Sequence, residues 1–258
     1  MILFRTKLGG FVLVGFLLAL WELASRSSGA PIVTFPPFSR VCQALWSLVA
    51  TGEIVDVLLP SLQRLAIGYV IALAIGVAAG MAMGHFRVVF NLFEPLTEVL
   101  RPIPAPAYVP VAILFLGLGD EMKIFVIAFA TCFPILLNTF SGVRSVDVIQ
   151  INTARTFGYS DWAILRKVIM PAALPQIFTG MRISLALSLI MVVISEMVAS
   201  VDGIGFFILN SERGFRIPEM YAGIIVLGIL GYIMNALFLQ VEHYVVRWHH
   251  DANKRDVS

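Results

Sequence analysis

Charged residues and cysteines are both scarce in this sequence. Only 13% of its 258 residues are charged and 59% are hydrophobic, whereas soluble domains carry about 25% charged residues. Because one soluble core cannot hide so much apolar surface, lipid is the expected solvent. Cys42 and Cys132 are the two cysteines, and Cys132 lies inside an apolar run, so we expect no disulfide. The net charge of +2, without a block of Lys or Arg, gives no indication of nucleic acid binding.

Motifs for nucleotides and catalysis are also absent. The dipeptide Gly-Lys does not occur, so there is no phosphate-binding P-loop, and neither G-x-G-x-x-G nor H-E-x-x-H is found. There is no serine nucleophile elbow. Of the four histidines only His249 and His250 are adjacent, in a polar tail without further ligands at metal-site spacing. We therefore expect no catalytic residue, metal or cofactor on this chain, and any energised work must draw on an ion gradient or a partner protein.

Six apolar runs approach the roughly 20 residues that a helix needs to cross a bilayer. The first is interpreted as a retained helix rather than a cleaved signal peptide, because of its length and the Trp21–Glu22 pair at its end. We predict an all-α, polytopic membrane protein with an N-terminal helix and external segment over 1–56, a membrane core over 57–245 and a tail over 246–258. The six predicted spans are 8–25, 65–84, 103–118, 124–140, 177–195 and 220–240.

The distribution of Lys and Arg predicts that both termini are cytoplasmic. With the N-terminus inside, the inside segments hold ten of these residues and the outside segments six, with Arg101 and Arg182 set aside as membrane-flanking. The outside set includes Arg64 and Lys123. The polar segment 147–170 is then cytoplasmic. A short amphipathic helix over 40–50, capped by Ser39, is expected outside.

Small residues recur at every fourth position of the second predicted span. On a helix they share one face, which allows another backbone to approach closely. The partner is either another helix of this chain or another subunit. The residues are Gly68, Ala72, Gly76, Gly80 and Gly84.

Prolines interrupt the third predicted span at Pro102, Pro104, Pro106 and Pro110. Each removes a backbone donor and clashes with the preceding helical turn, so a regular helix is excluded. Irregular backbone at membrane depth is tolerated where protein or a water-filled cavity surrounds it. The segment is thus either a broken helix beside a translocation pathway or a kink at the membrane surface. Pro102 and Pro104 are the candidate pathway residues.

Ionisable residues near the membrane offer two further candidate sites, because charge is costly there. Ser195 and Glu196, at the outer end of the fifth span, either line a pathway or gate or place the carboxylate at the outer interface. Glu94 and Glu98 form either a local ion pair with Arg101 or a proton relay.

The polar segment between the fourth and fifth spans predicts two short helices joined by a tight turn. A helix over 147–157 would end at Gly158, which accepts the left-handed conformation. Ser160 can cap a second helix that begins at Asp161. Pro171 should end or kink that helix, and Pro175 suits the first turn of the fifth span. Such a projection either transmits force from a partner into the membrane or is only a loop.

This segment resembles the EAA motif of ABC importer permeases, roughly E-A-A, three residues, G, nine residues, I, one residue, L-P. Ala154, Gly158, Val168 and Pro171 keep that frame. Longer stretches, among them LRPIPAPAYVPVAILFLGLGD and PAALPQIFTGMRISLALSLIMVVISEM, look like permeases of the nitrate, taurine and aliphatic sulfonate type. The resemblance covers about residues 57–245.

The resemblance implies a type I permease fold with six transmembrane helices and a cytoplasmic coupling helix, in the bacterial inner membrane. It also implies a second permease copy, two ATPase subunits that bind ATP and Mg, and a solute-binding protein that delivers a small anion. Carried over by position, the coupling residues are Asn152, Thr153, Ala154, Arg155 and Gly158. Asn152 and Thr153 replace the motif's Glu and Ala, so no ion pair can start from position 152.

Two functions of other classes are compatible with the residues alone. One is a secondary transporter driven by an ion gradient, with Glu94, Glu98 or Glu196 as titrating groups. The other is a structural membrane subunit without a pathway of its own, which docks through the glycine-lined helix face.

Overall fold

The computed structural model describes residues 2–27 and 34–247, and all regular structure in these ranges is helical. The side chains of residues 2–8 and 11 lie outside the description, as do residues 248–258, which include the histidine pair. The predicted all-α class is confirmed. The helices are α1 (Ile2–Ser27), α2 (Phe38–Ala50), α3 (Glu53–His85), α4 (Arg87–Leu100), a 3₁₀ turn (Ala105–Tyr108), α5 (Val109–Leu116), α6 (Asp120–Arg144), α7 (Val148–Thr156), α8 (Asp161–Ile164), a π-helical stretch (Leu165–Ile169), α9 (Met170–Ala199), α10 (Ile204–Arg213) and α11 (Ile217–Val245).

Four helices among the described residues are long and apolar enough to cross a membrane. They are α3, α6, α11 and the continuous helical run Asp161–Ala199. Within the described ranges, α4 and Ala105–Leu116 pass the same test together, as a pair bent by 93° that forms either a broken span or a re-entrant loop. The helix is therefore interrupted between Leu100 and Ala105, where the first two prolines of the third predicted span lie, and 105–116 is too short to cross a membrane alone. The first predicted span falls in α1, whose side chains are described only in part.

Two helix starts differ from the predictions. Helix α3 begins at Glu53, twelve residues before the predicted start of the second span, so Arg64 lies inside a helix rather than in an outer loop. Ser39 was expected to cap α2, and this was wrong, because α2 begins at Phe38. The Ser39 backbone N–H and hydroxyl instead donate to the Glu22 carboxylate at 3.0 and 2.9 Å. Glu22 thereby satisfies a donor of the first turn of α2.

The chain forms two compact units. The first takes the chain up to Pro60 together with Val201–Ile229, and the second takes Ser61–Ser200 together with the chain from Leu230. The functional residues considered below lie in the second unit.

Trp21 organises the described N-terminal part of the first unit. Its ring packs on Phe35, Phe38 and Tyr221, with centroids 6.1, 5.5 and 5.4 Å away. Its indole N–H donates to the carbonyl of Pro36 at 3.1 Å. Because a buried indole needs a partner for its N–H, this bond fixes the ring and links α1 to the segment before α2.

In the second unit, α3 and α6 run parallel, and the small-residue face of α3 packs against α6. A Cβ atom added at any of four α3 glycines would come within 2.6–2.9 Å of an α6 side chain. The residue number of the α6 partner exceeds that of the glycine by 59 each time, so both helices run in one direction at constant register. Close backbone approach is what small residues at this spacing allow. The facing pairs are Gly68 with Ile127, Gly76 with Ile135, Gly80 with Thr139, and Gly84 with Val143.

Helix α9 runs antiparallel to α6. The Ser184 hydroxyl donates to the carbonyl of Thr131 at 2.6 Å, and farther along, a Cβ on Gly142 would lie 3.1 Å from the carbonyl of Ala173. Residue numbers therefore rise on one helix as they fall on the other. These contacts continue into a buried cluster that joins the two helices.

The bent pair returns the chain across the second unit. Near the start of α4, Phe90 stacks on Phe140 toward the end of α6, with centroids 5.1 Å apart. After the bend, Tyr108 packs on Phe129, nearer the start of α6, at 4.6 Å. Since α3 and α6 run in the same direction, the chain between them must travel back, and these contacts show that α4 and α5 carry it.

The close glycine contacts generate a stability prediction. Gly80→Ala should lower the unfolding temperature of the purified protein, because the added methyl would meet the Leu136 carbonyl at 2.6 Å, and such overpacking costs about 1–3 kcal/mol. Gly228→Ala is the matched control, since Gly228 is also helical and has nothing within 4 Å of its Cβ position. Equal unfolding temperatures for the two variants would contradict the packing of α3 on α6.

Candidate functional site

The segment 147–169 forms a projection between α6 and α9, and it begins with a capped helix. Asp147 precedes α7, and its Oδ1 accepts the backbone N–H of Ile149 at 2.8 Å. This is the side-chain cap that the first turn of a helix needs. The Thr153 hydroxyl donates to the Ile149 carbonyl at 2.8 Å, so it is directed along the helix. The observed α7, Val148–Thr156, agrees with the predicted helix over 147–157.

Gly158 ends α7 in a left-handed conformation with φ of +79°. Its N–H donates to the carbonyl of Arg155 at 2.9 Å, and the N–H of Tyr159 donates to the carbonyl of Ala154 at 3.1 Å. This pair of bonds is the Schellman motif, which satisfies the last carbonyls of a helix. Nothing lies within 4 Å of a Cβ built on Gly158. Backbone conformation, rather than lack of space, therefore favours glycine here.

The second helix of the projection continues into the membrane span without a break. The Ser160 hydroxyl caps α8 by accepting the N–H of Ala163 at 3.3 Å. The π-helical stretch Leu165–Ile169 follows, and α9 starts at once with Pro171 in its first turn. The predicted end of the helix at Pro171 was therefore wrong. A π turn lies where the proline ring and its missing N–H would disturb α-helical bonding, so the chain stays helical.

Ala154 attaches the projection to the ends of the spans. It is 6% exposed and belongs to a buried cluster with Val146, Ile164, Ile169 and Ala173. These residues come from the segment after α6 and from the second helix of the projection and its continuation. Ala154 therefore packs inward and is unavailable to a partner.

The other predicted coupling residues face outward. Asn152, Thr153, Arg155 and Gly158 are exposed. Arg155 Nη2 lies 3.7 Å from Asp161 Oδ1, and both side chains are well exposed. An exposed pair at this distance contributes little to stability. The outward face thus keeps a neutral amide, a hydroxyl and a weakly paired guanidinium within reach of a partner.

Exposed apolar side chains surround this polar face and were missed in the sequence. Phe157 is 79% exposed, and Ile149 and Trp162 are each 71% exposed. Clustered apolar side chains on a surface mark interaction sites. The available signal was the presence of large aromatic residues in a segment otherwise rich in polar residues.

A buried ionic cluster, which we call the ion clamp, joins three helices at the opposite end of the second unit. Arg64 on α3 contacts Glu196 on α9 through Nη1 and Oε1 at 2.8 Å, and Asp120 at the start of α6 through Nε and Oδ1 at 2.7 Å. The Ser61 hydroxyl lies 2.8 and 2.9 Å from the two Glu196 oxygens. Lys123 Nζ is 3.4 Å from Asp120 Oδ1.

Burial distinguishes the ion clamp from a surface pair. Glu196 is 0% exposed, and Arg64 and Lys123 are each 4% exposed, whereas Asp120, at the edge of the cluster, is 61% exposed. Buried charges require partners of opposite sign and further hydrogen bonds. The Glu196 carboxylate therefore does not extend to an outer interface. The two cations counted as outer-loop charges in the sequence lie inside helices. Ser195 is also buried, and its hydroxyl donates to the Val192 carbonyl at 2.9 Å.

The four candidate pathway residues do not come together. Pro102 and Pro104 line a cavity of about 450 Å³ at the bend after α4. Neither Ser195 nor Glu196 lines this cavity. The ion clamp and the bend cavity, as we call it below, are thus separate features.

Comparison with known proteins identifies close relatives. Residues 72–248 match the family model described as binding-protein-dependent transport system inner membrane component. The nitrate import permease NrtB of Leptolyngbya laminosa is 32% identical over 90% of this chain and 84% of its own length. The taurine transport system permease TauC of Escherichia coli is 29% identical over 89% of this chain and 85% of its own length.

The fold is shared with a solved transporter. A chain of the methionine ABC transporter MetNI, in an inward-facing conformation, superposes with a TM-score of 0.66 at 17% identity. The match covers 74% of this chain and 95% of the other.

The ion clamp generates a double-mutant prediction. Arg64→Met alone should cost about 3–5 kcal/mol of unfolding free energy, because it removes the guanidinium that compensates the buried Glu196 carboxylate. Glu196→Leu should cost less, because Arg64 keeps its contact with Asp120. The double variant should recover most of that loss, since apolar replacement of both partners is often neutral.

The matched control is Arg26→Met, which breaks a pair with Glu22 in which Arg26 is 65% exposed. Its cost should stay below about 1 kcal/mol. Single ion-clamp variants that are as stable as Arg26→Met would show that the cluster does not hold the helices together.

Proposed function

The chain belongs to the family of binding-protein-dependent transport system inner membrane components, and we propose that it is the permease subunit of an ATP-driven importer. It is a multi-pass membrane protein of the ABC importer permease type. In the proposed assembly two copies form the pathway, two ATPase subunits bind ATP and Mg, and a solute-binding protein delivers the solute. In this proposal the chain forms part of the pathway and supplies no catalytic residue.

The construction of the projection carries this proposal. A capped helix, a Schellman turn at Gly158 and a second helix that runs on into α9 form a continuous unit. Its polar and aromatic outer face is exposed, whereas Ala154 anchors its inner face. A mere loop between two spans requires neither a helical connection to a span nor an exposed aromatic surface.

The outer face indicates how an ATPase partner is held. Asn152 stands where the family motif has glutamate, so position 152 contributes hydrogen bonds instead of an ion pair. Phe157 and Trp162 supply apolar area next to it. We infer an ATPase groove that accepts these rings and binds Asn152 and Arg155 through neutral and charged hydrogen bonds.

Motion then passes from the projection along α9. The run Asp161–Ala199 is 39 residues, or about 58 Å at 1.5 Å per residue. Closure of the ATPases displaces its lower end. Because Glu196 lies near its other end and is paired with Arg64, the displacement reaches α3 and α6 at the ion clamp. The permease alternates between access to the two sides as these helices rearrange.

Charge distribution supports a cytoplasmic projection. Arg64 and Lys123 are buried in helices, so removing them from the outer loops strengthens the excess of Lys and Arg on the inside. Phe178, early in α9, packs on Phe238 of α11, and Arg182 donates to Asn235. Helix α11 is therefore antiparallel to α9 and ends on the side of the projection. We place the chain in the bacterial inner membrane with both termini in the cytoplasm.

The transported solute is a small anion of the sulfonate, taurine or nitrate class. The names of the nitrate and taurine permeases that resemble this chain support this assignment.

Gly158→Val tests the coupling role. A β-branched residue resists a positive φ at a cost of about 1–2 kcal/mol, so the turn should open and Phe157 should move relative to Trp162. We expect much less ATPase subunit to be retained on the tagged permease, and ATP-driven taurine or nitrate uptake to be lost. Gly158→Asn should retain both, because asparagine tolerates this conformation.

Gly52→Val is the control, since Gly52 also has φ of +79° and nothing within 4 Å of its Cβ position. It introduces equal backbone strain outside the projection and should leave ATPase retention intact. Full retention and uptake in Gly158→Val, or equal losses in both valine variants, would refute the proposed coupling.

A further inference from the structure

We propose that the bend cavity is a transit site for an organic anion with an apolar body, and that Arg101 binds the charged group of this anion. The proposal rests on the proposed function, because a permease needs a pathway that such a site would serve. It adds a location within the membrane and a chemical class of ligand.

The bend cavity lies at the middle of the membrane helices. Its wall on α6 extends from Phe129 to Asn138, and α6 extends from Asp120 to Arg144. The wall is therefore centred halfway along this span. Substrate sites of transporters lie near the bilayer midplane, beside helices that are interrupted there.

The opposite wall is irregular backbone. The chain turns through 93° between α4 and α5, and Pro102 and Pro104 supply no N–H. The Leu100 carbonyl accepts the Tyr108 hydroxyl at 3.2 Å and the Ile103 N–H at 3.3 Å. Non-helical backbone at this depth occurs where protein or water surrounds it, not where it meets lipid. The bend cavity provides space for water on one side of this backbone.

Arg101 gives the cavity its charge. It is the ionisable side chain among the lining residues that carries a permanent charge, and 58% of the side chain is exposed. Its nearest carboxylate, Glu98, is 3.9 Å away and 67% exposed, which makes a weak pair. An arginine exposed at mid-depth is far more stable facing water than facing hydrocarbon. The guanidinium, with five donors, can therefore bind an anionic group inside the cavity.

The remaining walls are apolar, and they determine which anions fit. Phe129 and Phe133 pack edge to face at 5.2 Å, and Ile103, Leu137 and Leu187 complete the surface. A volume of about 450 Å³ lies within the usual range for small-molecule sites. A bare oxyanion such as nitrate would leave these apolar walls in contact with water. An alkyl or aryl sulfonate or carboxylate would cover them while its head group meets Arg101.

Thiol labelling in the assembled permease–ATPase complex tests the site. Cys42 and Cys132 are replaced by serine and alanine, and Leu137→Cys places a single thiol on the wall. We expect this thiol to react with the anionic reagent 2-sulfonatoethyl methanethiosulfonate faster than with its trimethylammonium analogue. Arg101→Gln should reduce that preference about tenfold, as expected for a nearby unit charge in a partly hydrated site.

Glu98→Gln is the matched control, because it removes a charge one turn away and leaves Arg101 in place. It should keep or increase the anion preference. Phe133→Cys supplies a second wall position in case Leu137→Cys fails to fold. Absence of labelling at both positions, in both the nucleotide-free and the ATP–vanadate states, would overturn the proposal. So would an unchanged preference in Arg101→Gln.

Protection against labelling identifies the ligand class. 1-Hexanesulfonate should slow labelling, and along the series from methanesulfonate to hexanesulfonate each added methylene should increase protection about fourfold. Hexanoate shows whether a carboxylate head group serves equally well. Nitrate that protects as strongly as hexanesulfonate would exclude the requirement for an apolar body.

These measurements are independent of turnover. Failure of the proposed function would appear as loss of ATPase association or of ATP-driven uptake in the wild-type protein. If charge-selective labelling persists in that case, the proposed anion site stands and the proposed importer function is rejected. If uptake is intact but labelling is not charge-selective, the proposed importer function stands and the proposed anion site is rejected.

Discussion

The contact between Arg64 and Glu196 is the interaction on which the arrangement of the second unit depends. One guanidinium reaches the start of α6 and the end of α9 from α3, so three helices share a single fixed point. Separating the partners would leave a buried charge uncompensated, which is unfavourable, so these helices have little freedom to separate at this end. The α3 glycines then hold α3 against α6 over their length. We therefore expect larger rearrangements in the bent segment and at the opposite end of the second unit, where the projection lies.

The bend between α4 and α5 follows from this arrangement. Because α3 and α6 are parallel, the chain between them must cross back in a segment that is interrupted by prolines. Irregular backbone at this depth must be surrounded by protein or water, and the cavity beside Arg101 adjoins it. The bend is thus a requirement of the topology that also provides a largely apolar pocket beside one arginine at membrane mid-depth. The ion clamp and the bend cavity have different roles. The ion clamp holds three helices together, and the bend cavity provides the volume that we propose a ligand occupies.

Local rules predicted the projection well, because its features depend on neighbouring residues. The cap at Ser160 and the left-handed Gly158 follow from the chemistry of those residues, and both were found. Arg64 was misplaced because a charge was taken as the edge of an apolar run, although its partner is 132 residues away. The register of α3 on α6, the π-helical stretch and the bend cavity depend on tertiary packing. The small-residue spacing indicated a close contact, but could not say with which helix.

The central claim is that nucleotide binding by a partner ATPase moves the projection. Spin labels on the exposed position 152, one on each permease copy of the assembled complex, report this through the distance between them. Pulsed electron paramagnetic resonance should show one distance distribution without nucleotide and a clearly different one after trapping with ATP and vanadate. Identical distributions in the two states, with the ATPase subunits still bound, would contradict the account.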